Sequence, residues 1–343
     1  MSAGHRFFFC HWDGRLEPFL TAAALKQVFG DYGYPVSLVE ELSQAAPFED
    51  FDFVTTWVNN RVPALEPDKT VLLVVGDESG QVPMGTKGAR LVLRTGAKSS
   101  GPLFSPGQRP MSLCLLSSVR EIRNISLRFA RRLKGLPLVT PRHVECLPIG
   151  MVGDITLEPV AMPLRKWSLS FAGGIGPHRK VGKRRFPSSP KAAARLAMLE
   201  GLRRLSAAMP GLEVRVVCTD LEPALSRSEY HELLQQSRIS LCPRGNVPET
   251  FRLFESARLG CAVICDPLPK CWYFVNHPFV ELKDWRKLPG LVSELMLDEN
   301  EISKRGDRSR QWWEKVASPS AVTGNLVGMW RGGRGLTSQP DRR

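Results

Sequence analysis

The sequence predicts an α/β protein made of two successive domains, each a parallel sheet with helices, facing a cleft. Three observations carry that expectation. Short apolar runs alternate with helix-length amphipathic segments through both halves of the 343 residues. The alternation lapses over residues 148–166, where proline and glycine become frequent and no period survives. The run from Ser237 to Asp266 reads without interruption as strand, turn, helix and strand, the unit of a parallel sheet. The expected organisation is a first domain over 1–150, a linker over 151–165 and a second domain over 166–300. C-terminal helices over 301–330 and a disordered Gly/Arg-rich tail over 331–343 complete it.

In the first half, strands are expected at 6–11, 36–39, 51–55, 71–75, 91–93 and 113–116, with an amphipathic helix over 19–30. A helix follows over 118–133, capped by Ser118 and ended by Gly135. Val119, Ile122, Ile125, Phe129 and Leu133 lie on one side of it, with Arg120, Arg123, Arg128, Arg131 and Arg132 largely elsewhere. In the second half, Trp167–Phe171 is a strand running into Gly173 and Gly174. Ser189–Ala208 is a long helix with Leu196, Leu199 and Leu202 on one face. Val214–Cys218 is a strand, Tyr230–Gln236 a short helix, Phe279–Leu282 a strand, and Leu288–Leu297 and Glu301–Val316 are helices.

Composition narrows the class. An apolar fraction of 43% suits a globular protein, and no stretch approaches the roughly 20 apolar residues of a membrane span. The first residues lack the apolar core and cleavage site of a signal peptide, so the expected residence is cytoplasmic. The eight cysteines include Cys10, Cys114, Cys218, Cys242 and Cys265 in strand-like apolar runs, where a thiol behaves as a small hydrophobe. Cys261, Cys265 and Cys271 lack zinc-site spacing. The net charge of +13 calls for anionic partners: nucleic acid, anionic membrane, or an anionic ligand in a basic cleft. No nucleic-acid motif is present, so no specific nucleic acid is expected, whereas peripheral contact with an anionic membrane is.

The run from Ser237 to Asp266 carries the chemistry. Ile239, Leu241 and Cys242 lead into Pro243-Arg244-Gly245, a turn at the carboxyl edge of the sheet, where parallel sheets bind ligands. Asn246 and Thr250 are acceptable helix caps, and Gly260 closes the helix. Arg252 lies in the first turn, where a cation opposes the helix dipole, so local helix energetics do not explain it; a bound diphosphate does. Glu255, one turn on, could accept hydrogen bonds from ribose hydroxyls. A plain surface pair is the alternative for those two residues taken alone. A second basic segment, Gly173 to Lys180, follows the strand at Trp167. Its glycines let a ligand approach the backbone, and Arg179 supplies charge, although a solvated basic loop would have the same composition.

These residues resemble the exostosin-like glycosyltransferases, glycosyltransferase family 47. The resemblance rests on Cys242-Pro243-Arg244-Gly245, then Thr250, Arg252 and Glu255 in register, then Gly260-Cys261-Ala262-Val263-Ile264. Tyr230, Leu233, Leu234 and Ser237 before the motif also fit, as do Leu268, Pro269 and Trp285 after it. Thr250 stands where the family has serine, and Val263 where it commonly has proline. The resemblance covers roughly the second half of the chain. It implies a GT-B fold of two Rossmann-like domains and a nucleotide-sugar donor, a UDP-sugar, in the second. It also implies inversion at the anomeric carbon, with no metal and no other cofactor. In that picture Arg252 neutralises the diphosphate, Glu255 holds ribose, and Arg244, Gly245 and Thr250 line the pocket. The absence of an anchor segment points to a cytosolic, bacterial-type member, with a glycan, glycolipid or small-molecule acceptor in polysaccharide biosynthesis. Retaining GT-B enzymes carry a further acidic residue where Val247 stands, and Glu249 is out of that register. A retaining transferase and a non-catalytic basic module binding nucleic acid or anionic lipid remain the alternatives.

An inverting transfer needs a base on the first domain, in a loop after a strand. Asp13 is chosen; His11, Asp77 and Glu78 follow strands too.

Overall fold

The computed structural model describes residues 5–9, 30–31, 36–39, 53–57, 70–75, 89–96, 107–134, 144–151, 154–181, 184–220 and 222–331. Asp13, His11, Asp77, Glu78, Cys10, Gly135, all but the last residue of the helix expected over 19–30, and the tail from 332 lie outside them.

The first sheet contains β1 (His5–Phe9), β2 (Val36–Val39), β3 (Phe53–Trp57), β4 (Val71–Val75), β5 (Leu91–Thr95) and β6 (Val144–Leu147). All neighbours pair in parallel, in the order β2-β1-β3-β4-β5-β6. Val71 to Val74 have no exposure on either side of the pleat, which is why β4 is an unbroken aliphatic run rather than an alternating one.

Residues 113–116 are not a strand. They belong to helix α1 (Met111–Leu133). A four-residue apolar run cannot by itself distinguish strand from helix, and here the helical period continues upstream to Met111. Ser118 is therefore inside the helix and caps nothing; its hydroxyl donates to the Cys114 carbonyl at 2.9 Å. Cys114 is a helical residue for the same reason.

The second sheet contains β7 (Trp167–Ala172), β10 (Val214–Val217), β11 (Ser237–Cys242), β12 (Ala262–Cys265) and β13 (Val280–Glu281). Their order is β10-β7-β11-β12-β13, again all parallel, with Ile239 opposite both Leu169 and Ala262. The segment after Gly176 is a short antiparallel hairpin, β8 (His178–Val181) and β9 (Arg184–Pro187), where a loop was expected. Helices α2 (Pro190–Ala208), α3 (Arg227–Gln235), α4 (Phe251–Arg258), α5 (Leu288–Met296), α6 (Glu299–Trp312) and α7 (Pro319–Trp330) complete the chain.

Alternation along the strands divides the core. Leu169, Phe171, Ile239, Leu241 and Ile264 pack with Met198, Leu202 and Trp285 on one face. Cys242, Val263 and Cys265 pack with Phe254, Tyr273 and Trp312 on the other. Among the described residues the cysteines form no disulfide. The helix expected over 301–316 ends in a wide π-type turn at Trp313–Ala317, after which Ser318 caps α7 by accepting from the Ala321 N–H. The carbonyl of Trp330, at the end of α7, accepts from Arg90 beside β5.

The two sheets are tied near their carboxyl edges. Gln108 Nε2 donates to Asp266 Oδ1 at 2.9 Å, the Arg109 N–H to the Lys283 carbonyl at 2.7 Å, and Trp272 Nε1 to the Cys146 carbonyl at 2.7 Å. Among the described residues no helix is long and apolar enough to cross a membrane.

Candidate functional site

Counted within its own domain, the second sheet has the order 2-1-3-4-5. Connections from β7 and β11 leave in opposite senses, so a crevice opens beyond the carboxyl ends of this pair. The adjacency of these strands is what the sequence predicts, and it brings both basic segments to one edge.

β7 ends at Ala172, and Gly173 turns at φ +148. A Cβ on Gly173 would collide with Arg252 Nη2 and lie 3.6 Å from Arg195 Nη1. A Cβ on Gly174 would come within 2.8 Å of Asp220 Oδ1. Both glycines are thus needed for the backbone to pass between side chains. Gly173→Ala should cost on the order of 1–3 kcal/mol of stability, from strain and displacement of Arg252. Gly245→Ala, whose Cβ meets nothing nearer than 3.7 Å, should stay within about 0.5 kcal/mol. Paired thermal denaturation curves measure the contrast.

Two guanidiniums converge on this turn. Arg252 is the second residue of α4 and donates through Nη2 to the Ala172 carbonyl. Arg195 stands in the second turn of α2, whose start is fixed by Ser189 accepting from the Ala192 N–H at 3.1 Å; it donates through Nη1 to the Gly174 carbonyl. Both lie by the Phe171 ring, with Cζ 4.5 Å from its centroid for Arg252 and 5.9 Å for Arg195. They are 8% and 7% exposed, yet Arg252 Nε and Nη1 and Arg195 Nε have no acceptor. Arg165 provides the internal comparison. It is equally buried, and its Nε, Nη1 and Nη2 all reach carbonyls, those of Val160, Ser237 and Leu259. The fold satisfies Arg165 in full, whereas Arg252 leaves both Nε and Nη1, and Arg195 leaves Nε, without an acceptor.

The electrostatics agree. Burial first, and then the neighbouring charge of Arg252, push the Arg195 guanidinium down to about 9, with Asp220 opposing. An arginine keeps its proton at neutral pH, so the shift records a charge held at a cost, which an anion between the two side chains would relieve.

Around this pair the other expected residues take distinct places. The Thr250 hydroxyl, at the cap position of α4, makes no capping bond and is buried without a partner. Glu255 is buried one turn into α4 and accepts from the Tyr230 hydroxyl at 2.7 Å. Burial, with the Glu255 charge next, drives the Tyr230 phenol well above its ordinary range, so it stays a proton donor. Arg244 is turned fully inward. Its N–H donates to Asp266 Oδ2 at 2.9 Å and its Nη2 to the Asn246 carbonyl at 3.2 Å, and burial lowers its guanidinium to about 10. Gly245 and Asn246 form the loop above it. Arg179 lies in β8, opposite Phe186 in the hairpin. Arg195 and Asp266 are additional to the residues singled out in the sequence. Among the described residues, no three His, Cys, Asp or Glu side chains come together as metal ligands.

Residues 192–319 match the RXYLT1 C-terminal domain, which is of the exostosin-like type. The match covers α2 to the start of α7 and supports the resemblance carried by the Cys242–Ile264 motif. The pair of parallel sheets corresponds to the GT-B plan. Among solved structures, the chain is similar to AviGT4, a glycosyltransferase involved in avilamycin A biosynthesis, at 11% identity, covering 95% of this chain and 97% of that one with a TM-score of 0.47. It is similar to Anabaena HepE in complex with UDP and glucose at 10% identity, 96% and 100% coverage and a TM-score of 0.44. It is also similar to sucrose-phosphate synthase of Thermosynechococcus elongatus at 11% identity, 96% and 98% coverage and a TM-score of 0.44. No curated protein matches the sequence.

Proposed function

We propose that the protein is an inverting glycosyltransferase that moves a sugar from a nucleotide-sugar, of the UDP-sugar type, to a hydroxyl of a glycan, glycolipid or small-molecule acceptor. The observation that carries this reading is the pair of buried guanidiniums, Arg195 and Arg252, which meet at the glycine turn after β7 and keep further donors without an acceptor. Diphosphate is a ligand whose charge and oxygen count suit two such forks.

The reaction is a single displacement. The acceptor oxygen attacks the anomeric carbon, the bond from that carbon to the diphosphate oxygen breaks, and the electron pair leaves with the nucleoside diphosphate. Arg252 and Arg195 stabilise the charge that grows on the leaving group, with the Thr250 hydroxyl and the first N–H groups of α4 beside them. Neutralisation is assigned to these groups and not to a metal ion. Glu255, oriented by Tyr230, is placed to accept from ribose, and Gly173 and Gly174 let the diphosphate approach the main chain. Arg244 shapes the loop of Gly245 and Asn246 from behind. Arg179 is assigned to the donor's charged end. The base that takes the acceptor's proton is assigned to Asp13, which follows β1 in sequence; β1 and β3 flank the switch point of the first sheet, where an acceptor would face the donor. Glu249 accepts from the Ile149 N–H and from Tyr273, a joint between the sheets that favours leaving it out of the chemistry and so favours inversion.

Calorimetric titration and thermal denaturation with a panel of sugar nucleotides test the reading. UDP and a UDP-sugar should raise the melting temperature by mass action, Arg195→Ala should weaken that response, and the transferred sugar should carry inverted configuration by NMR. If no nucleotide binds while generic polyanions bind in a salt-sensitive way, a basic binding module replaces the enzyme.

A further inference from the structure

We infer that helix α1 is a docking surface for an anionic lipid bilayer. The inference is independent of the donor site. Leu115, Val119, Ile122, Ile125, Phe129 and Leu133 recur at helical spacing and are between 55% and 72% exposed. The helix is held to the protein by a different side: Leu113, fully buried, packs with Leu116 against Ala193 and Ala194 of α2. The broad apolar face of α1 is therefore turned outward, and the narrow one inward. From Leu115 to Leu133 it runs about 27 Å at 1.5 Å per residue, a continuous stripe and not scattered exposed side chains.

Charge decides the occupant. Within α1 five arginines, Arg120, Arg123, Arg128, Arg131 and Arg132, stand against the single acid Glu121. A second copy laid along this face would bring together two helices with five arginines and one acid each, inside a chain already at +13. A lipid surface of negative charge takes the apolar stripe into its acyl boundary and pairs the arginines with head groups. The arginines forbid a spanning orientation, so the helix lies in the plane of the interface. The start of α1 is fastened to the second sheet by the Gln108–Asp266 and Arg109–Lys283 bonds, beside a cavity of about 580 Å³ lined by Arg109, Lys283, Arg286 and Lys287 together with Glu281 and Asp284. A docked α1 thus holds the cleft at the level of the membrane surface.

The full chain should co-sediment with vesicles of phosphatidylcholine and phosphatidylglycerol in equal parts at low salt. Binding should fall with added salt and be weak on phosphatidylcholine alone. The double change Ile122→Glu and Phe129→Glu should reduce the bound fraction at least tenfold at an unchanged melting temperature; Leu297→Glu, at an 88% exposed leucine elsewhere, should leave it as in the wild type. Phe129→Ser alone, which adds no charge, should reduce it less. The inference is overturned if the wild type stays in the supernatant. It is equally overturned if the double variant sediments undiminished, or if light scattering finds a lipid-free dimer that the double variant dissolves.

Discussion

Arg252→Ala should abolish measurable UDP binding and lower sugar transfer by about 10²–10³-fold, while the ligand-free protein melts at the wild-type temperature or above it. The two halves of this result have one cause. Truncating a buried side chain ordinarily destabilises, and here it removes a hydrogen bond to Ala172, worth about 1 kcal/mol, and a stacking contact with Phe171 of similar size. Against that stands the repulsion from Arg195. The guanidinium of Arg195 is held at about 9, well below its ordinary range, with Arg252 the second cause after burial. A base whose folded value lies below its unfolded one binds fewer protons in the native state between those values. Its cost is therefore complete below about pH 9 and is relieved only as pH rises through that window. At neutral pH the fold bears all of it, and removing Arg252 lifts part of it. The bound state reverses the account: without Arg252 the diphosphate loses a fork of donors in a buried site. Arg252→Lys should restore charge but not the fork, and recover little of the activity. Titration calorimetry with UDP and paired melting curves read both halves. Unaltered UDP affinity in the alanine variant would remove Arg252 from the site.

The sequence made the second sheet legible because its signals are local and mutually consistent. Ser189 before Pro190, Gly260 after Arg258 and the short apolar runs at Ile239 and Ala262 each mark a boundary that the structure places within a residue or two. The apolar period of its helix, through Leu196, Leu199 and Leu202, does not mark Arg195. The available signal was its spacing: Ala192, Met198 and Leu202, at three before, three after and seven after it, are all buried and share its helix face. In the first half, the run at Leu113–Leu116 resembles a strand because its own four residues carry no period, although it lies inside α1. Asp266 looked like a strand terminator, since nothing in the sequence tells which donors a carboxylate at a sheet edge will meet across 158 residues.

Those donors make Asp266→Ala the variant with the largest expected loss of stability, on the order of 3–5 kcal/mol. The carboxylate is 1% exposed and gathers three elements: Gln108 before α1, the N–H of Arg244 after β11, and Trp285, whose fully buried indole N–H lies 3.4 Å from both oxygens. Alanine leaves each donor buried without its acceptor and removes the nearest negative charge from the fully buried Arg244 guanidinium. Burial raises the Asp266 carboxyl above its ordinary value, more than its donors and Arg244 lower it. With the folded value above the unfolded one, the native state binds the proton more readily, so the cost of ionising Asp266 is complete above the folded value and fades as pH falls through it. Asp266→Asn, neutral and still able to accept, should therefore cost clearly less than alanine. Gln108→Ala should cost about 1 kcal/mol, and the Gln108–Asp266 double-mutant cycle should return a coupling of roughly 0.5–3 kcal/mol. Additive losses in urea denaturation would mean that the carboxylate orders the second sheet alone. A positive coupling makes Asp266 the joint through which the start of α1 and the nucleotide-facing edge are held as one piece.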